Sequence, residues 1–135
     1  MNSKIRIDCL MLIDDHYPTN YYNELIIKEM GCAKNLIIKS SANEALIYFD
    51  EMELQKHPRP NVIFLDINMP KMNGWQFLAA YEKIPAKFKA DKIFVMTSTE
   101  GNPEYAEKEQ SINVEINYCH KPLSKEMILE IINGK

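Results

Sequence analysis

The sequence predicts an α/β domain: a parallel sheet with helices on both faces. The first observation behind this is that short apolar runs alternate five times with segments of helical spacing, the pattern of repeated strand–helix units. The second is that two of the runs, Cys9-Leu10-Met11-Leu12-Ile13 and Asn61-Val62-Ile63-Phe64-Leu65, end in acids, at Asp14-Asp15 and at Asp66. Carboxyl ends of strands are where an open α/β sheet gathers its ligands. The third is length: 135 residues lead us to expect a single domain over 1–135 and no output domain after the last helix.

Each element has its own signal. Strand one is about Ile5 to Ile13, and helix one starts near Pro18, a residue suited to a first turn. Tyr22, Leu25, Ile26 and Met30 read as its apolar face, and Gly31 as its stop. Strand two is Leu36-Ile37-Ile38. Ser41 and Glu44 form a capping-box pattern opening helix two, whose inner face is Ala45, Leu46, Phe49 and Met52. Pro58 and Pro60 punctuate the way to strand three, Val62 to Leu65. A loop with Pro70 and the turn signal Asn73-Gly74 leads to helix three, with Trp75, Phe77, Leu78 and Tyr81 as packing residues.

Strand four is Ile93 to Met96. Asn102-Pro103-Glu104 reads as cap, first-turn proline and acid of helix four. Strand five alternates, with Val114, Ile116 and Tyr118 on one side and Glu115, Asn117 and Cys119 on the other, as at a sheet edge. Ser124 caps helix five, whose Met127, Ile128, Ile131 and Ile132 face inward.

Composition excludes several classes. Hydrophobic residues make up 46% of the chain, enough for one core and too many for a disordered chain. A net charge of −3 argues against direct nucleic-acid binding, which needs a basic surface. No apolar stretch reaches the roughly 18 residues of a membrane span, and the start of the chain does not read as a secretion signal. Cys9, Cys32 and Cys119, without CxxC spacing, fit reduced thiols in a cytoplasmic protein.

Right-handed crossovers give parallel strands one orientation, so strands one, three and four end on the same edge. Asp14, Asp15, Asp66 and Thr97 then lie at that edge, and Lys121 follows strand five. Crowded carboxylates either bind protons or share a cation. An oxygen-only ligand set favours Mg²⁺. Lys121 offers a point charge and Thr97 a hydroxyl to phosphoryl oxygens. Asp66, alone on its strand, is the candidate nucleophile for an acyl phosphate.

Taken in order, Asp14-Asp15, Asp66-Ile67-Asn68-Met69-Pro70-Lys71-Met72-Asn73-Gly74, Thr97-Ser98 and Lys121-Pro122 resemble the receiver domain of two-component response regulators. The resemblance runs from about Ile5 to Ile132. It implies a five-stranded, flavodoxin-like sheet of order 2-1-3-4-5. It implies that Asp66 takes a phosphoryl group from a sensor histidine kinase or a histidine phosphotransfer protein. Asp15 would hold Mg²⁺ directly, Asp14 mainly through water, and Asn68 through its backbone carbonyl. Thr97 and Lys121 would hold phosphoryl oxygens, with the Lys121-Pro122 bond cis. Asn68 and Thr99 occupy positions that tune phosphoryl lifetime in this family.

Tyr118 matches the family's aromatic switch. Phosphate on Asp66 would draw Thr97, Tyr118 would turn inward, and the face of helix four, strand five and helix five would bind a downstream target protein. A phosphorylation-dependent dimer is compatible with this scheme.

Each short motif has a plainer reading alone: an Asp-Asp pair is commonly a solvated turn or cap, and Tyr118 could be an edge-strand core residue. His16 reads as a surface histidine, and Cys119-His120 lacks a second pair at metal-ligand spacing. Three departures from the family pattern stand out: a slightly longer stretch between Thr97 and Lys121, Ser111-Ile112-Asn113 where small residues are common before strand five, and His120 where an aliphatic or small residue is more frequent. Two other functions compete. An aspartate-nucleophile phosphatase usually needs an acid two residues after the nucleophile, where this chain has Asn68. A phosphorylation-independent interaction module would typically have lost the acid pair, the acceptor or the lysine.

Overall fold

The apolar runs become strands because they are too short for helices and because the central ones can bury both of their faces. The computed structural model describes residues 7–97 and 103–133. Its elements are β1 (Ile7–Ile13), α1 (Tyr17–Met30), β2 (Ala33–Lys39), α2 (Ala42–Asp50), a short α3 (Met52–Gln55), β3 (Val62–Asp66), α4 (Gly74–Tyr81), β4 (Lys92–Thr97), α5 (Pro103–Gln110), β5 (Asn117–His120) and α6 (Lys125–Ile132). The strands pair in parallel in the order β2-β1-β3-β4-β5. The chain direction therefore reverses its walk between β1 and β3, and Asp14, Asp66 and Thr97 all leave the sheet at one edge.

The central strand shows why alternation is absent from its sequence. Every residue of β3 is buried. Ile63 and Leu65 join a core with α2 and α4, while Val62 and Phe64 join a second core with α1 and α6. A period of two thus serves two apolar layers at once.

Several helices depart from the sequence reading. In α1 the buried stripe is Asn20, Asn23, Ile26 and Ile27, whereas Tyr22 and Leu25, expected inside, are exposed. The apolar pattern misled because one turn of the inner face is polar. Asn20 is turned in to donate from Nδ2 to the Asp14 carbonyl at 2.7 Å. Gly31, with φ 61°, closes α1 by donating to the Ile27 and Lys28 carbonyls.

Helix two breaks at Glu51, so Met52 packs from α3 rather than from a continuous helix. Its cap is displaced by one residue from the expected box. Ser41 Oγ accepts from the Glu44 N–H, but Glu44 reaches back to the Ser40 N–H.

Asn73 is more than a turn residue. Its side chain accepts from the Gln76 N–H, and Gln76 accepts from the Asn73 N–H, a complete capping box at the start of α4. Replacing Asn73 with Ala should therefore lower stability by about 1 kcal/mol. A urea midpoint unchanged in that variant would show that the box contributes nothing.

Strand five is shorter than its alternation suggested. Pairing with β4 begins at Asn117, opposite Phe94, and Val114 to Ile116 pack as irregular chain. The expected start of strand one at Ile5, the helix cap at Asn102, and Ser98 and Thr99 lie outside the described residues.

Candidate functional site

Each acid reaches the site edge because a strand ends there. Asp14 follows β1, and its backbone is held on both sides. Its N–H donates to the Lys39 carbonyl at 3.1 Å, and its carbonyl accepts from Asn20. Its carboxylate Oδ1 accepts from the His16 N–H at 2.9 Å. Asp66 is the last residue of β3, between β1 and β4. Its Oδ1 accepts from the Asn68 N–H at 3.3 Å.

Behind Asp66 the loop folds back on itself. The Gly74 N–H donates to the Ile67 carbonyl at 2.8 Å. A methyl group on Gly74 would lie 2.8 Å from the Ile67 Cα and 2.9 Å from the Asp66 carbonyl oxygen. Only a residue without Cβ allows this approach.

Lys121 joins the acids. Its Nζ lies 3.1 Å from Asp66 Oδ1 and 3.1 Å from Asp14 Oδ2. Its backbone N–H donates to the Thr97 carbonyl at 2.9 Å, which ties the lysine to the end of β4. The Lys121-Pro122 bond is cis. Burial pulls the Lys121 ammonium down, but the charges and hydrogen bonds of Asp14 and Asp66 outweigh it and raise its pKa above the ordinary lysine value. Lys121 is a cation at every physiological pH.

Asp14, Asp66 and Thr97 are buried, while Asp15 is exposed at the mouth of the site. Asp14, Asp15 and Asp66 each place a carboxylate oxygen within 4.8 Å of the others. Opposed ligands of an octahedral Mg²⁺ stand about 4.2 Å apart, twice the metal–oxygen distance. Adjacent ligands stand closer, about 3.0 Å apart, so the three oxygens, all within 4.8 Å of one another, would draw together around such an ion, with waters completing its shell.

Among the residues singled out from the sequence, Asp14, Asp15, Asp66 and Lys121 converge. Thr97 adjoins them through its carbonyl, and Asn68 is exposed beside Asp66. Tyr118 stands apart on the edge strand. It is 43% exposed, so its plainer reading as an edge-strand core residue does not hold. The burial that the alternation assigned to its side of the strand falls on Ile116 instead. His16 is exposed, with Nδ1 2.6 Å from Thr19 Oγ1. Sequence reasoning passed over Asn20, whose signal was a polar residue on an otherwise apolar helix face. It also took Gly74 for an ordinary turn residue, because a close backbone approach leaves no mark in sequence.

Comparisons with known proteins identify the family. The family model for the response regulator receiver domain matches residues 10–133. The chain belongs to that family: it is the receiver domain of a two-component response regulator. It is 30% identical to Protein PilG of Pseudomonas aeruginosa over 125 residues, covering 93% of this chain and 84% of that protein. Among solved structures, a two-component response regulator from Cytophaga hutchinsonii superposes with a TM-score of 0.78 at 27% identity, covering 94% of this chain and 95% of that one. The receiver domain of the histidine kinase CKI1 from Arabidopsis thaliana shares the fold, with a TM-score of 0.74 at 20% identity over 92% of this chain and 91% of that one.

Receiver domains are signalling modules that interact with histidine kinases and downstream targets and typically bind Mg²⁺ at an aspartate cluster. Among the described residues no helix is long and apolar enough to cross a membrane.

Proposed function

We propose that this chain acts as a receiver in which Asp66 is the phosphoacceptor. A phosphohistidine of a sensor kinase, or of a histidine phosphotransfer protein, supplies the phosphoryl group. An Asp66 carboxylate oxygen forms the new O–P bond as the donor's N–P bond breaks, and the electron pair of that bond stays on the imidazole. The observation that carries this reading is the placement of Lys121, whose one ammonium bridges Asp66 and Asp14 beside the exposed Asp15.

Asp15, Asp14, Asp66 and the backbone carbonyl of Asn68 are the residues that would hold Mg²⁺. When bound, the ion neutralises charge between the acids and the incoming phosphoryl oxygens. Lys121 moves its hydrogen bond from Asp66 Oδ1 to a phosphoryl oxygen, and Thr97 supplies a hydroxyl to another. Most of the catalysis is then alignment and charge neutralisation. Asn68, two residues beyond Asp66, is not an acid and does not supply the proton that an aspartate phosphatase takes from that position for a leaving alcohol.

Tyr118 then turns inward, and the face of α5, β5 and α6 becomes the surface for a downstream protein.

Incubation with acetyl phosphate and Mg²⁺ tests the reading. One acid-stable, base-labile phosphate should appear per chain, and Asp66→Asn should abolish it. Labelling that persists in Asp66→Asn would falsify the assignment. Omission of the metal should reduce labelling strongly, because the acids and the incoming phosphate would then repel one another without relief.

A further inference from the structure

Two residues of α5 contact Tyr118, and the phosphoryl-transfer step uses neither of them. The Tyr118 hydroxyl donates to Glu109 Oε1 at 3.0 Å. Its ring lies parallel to that of Tyr105, with centroids 6.0 Å apart and an interplanar angle of 4°. Tyr105 and Glu109 are four residues apart on one helix, so they project from one face. Rotation of Tyr118 away from that face loses both contacts together.

The row continues toward the acceptor. Tyr105 meets the ring of Trp75 at 5.6 Å and 57°. Trp75 is buried and directly follows Gly74, whose N–H is bound to the carbonyl of Ile67, the residue after Asp66. Trp75, Tyr105, Tyr118 and Glu109 thus form a continuous series of contacts from the acceptor loop to the sheet edge.

We propose that Glu109 and Tyr105 are positioning residues that latch Tyr118 outward and so set the resting balance between the two conformations. This rests on the receiver reading given above. The hydroxyl is a dependable donor: burial first, then the Glu109 hydrogen bond and charge, push the Tyr118 phenol up to about 12. It stays protonated wherever the protein is folded and working. By linkage, any contact made only in the outward conformation weakens binding of a ligand that favours the inward one, and by the same factor. One half-exposed hydrogen bond corresponds to about a two- to tenfold bias.

The experiment has two arms. In the metal-free, unphosphorylated protein, aromatic NMR of the Tyr118 ring reports its conformational balance with no phosphoryl mimic present. Glu109→Ala and Tyr105→Ala should each shift that balance. Tyr105→Phe, which keeps the ring, and Glu107→Ala, which removes a neighbouring charge, should not.

In the second arm beryllofluoride is titrated with Mg²⁺, following the emission of Trp75, the chain's one tryptophan. The midpoint should fall about two- to tenfold in Glu109→Ala. Tyr118→Phe should reproduce that fall, and the double variant should fall no further. A Tyr118 ring signal identical in wild type, Glu109→Ala and Tyr105→Ala would overturn the latch. So would an unchanged midpoint in Glu109→Ala when the wild type titrates normally. A wild type that ignores beryllofluoride would overturn the receiver reading instead, while the first arm still judges the latch.

Discussion

Lys121→Met should lower phosphorylation of Asp66 by acetyl phosphate about a hundredfold, the usual effect of removing one preorganised charge from a developing anionic centre. The same substitution should also weaken the folded state without metal. Lys121 is the ammonium that reaches both Asp66 and Asp14 at 3.1 Å, and both carboxylates are buried. Taking it away leaves two buried acids facing each other and the exposed Asp15. Loss of one partner of a fully buried pair costs about 3–5 kcal/mol. The lysine side chain is 23% exposed, and screening reduces the expected loss to about 2 kcal/mol.

Urea unfolding with and without Mg²⁺ checks the prediction. The deficit should shrink when the metal is added, because the ion replaces the missing positive charge. A variant as stable as wild type in chelator would sink it. The pH dependence follows from the raised lysine pKa. A group whose pKa is higher in the folded state stabilises fully below its unfolded value, and that stabilisation fades as pH rises through the folded value. The Lys121 contribution is therefore complete at neutral pH and is lost only above about 10.5, the ordinary lysine value.

Gly74→Ala should lower stability by about 2–3 kcal/mol, as overpacking without room to relax does. The added methyl would come within 2.6 Å of Ile67 Cδ1, which a rotamer change can relieve. It would also come within 2.8 Å of the Ile67 Cα and 2.9 Å of the Asp66 carbonyl, which only a backbone shift can relieve. That shift moves the end of β3, so phosphorylation should slow as well as stability fall. Chemical denaturation and acetyl phosphate kinetics on one preparation separate the two effects. Wild-type values in both would show that the loop gives way freely and that the close approach has no consequence.

Much of this site was legible because it is built from strand ends. An apolar run followed by an acid states both the strand and the edge on which the acid lies. The rule that parallel strands run one way then places Asp14 and Asp66 together. The same reasoning placed Lys121 only approximately, since β5 is short and begins at Asn117. Helix faces were less legible where polar residues took inner positions. Asn20 and Asn23 are buried on α1 while Tyr22 and Leu25 are exposed. Hydrophobic periodicity assumes that the inner face is apolar, and a helix that holds the backbone of a functional loop breaks that assumption.

Residue order was sufficient for the alternation of strands and helices, for the acids at strand ends, and, through the family resemblance, for the order of the sheet. These are consequences of period, length and chain direction, all of which are local. The paired 3.1 Å contacts of Lys121, the fit of Gly74 against the Asp66 carbonyl and the stacking of Tyr118 on Tyr105 became visible only in three dimensions. Each joins groups distant in the chain or depends on ångström-scale backbone and side-chain placement, which packing of the whole domain sets and no periodicity encodes.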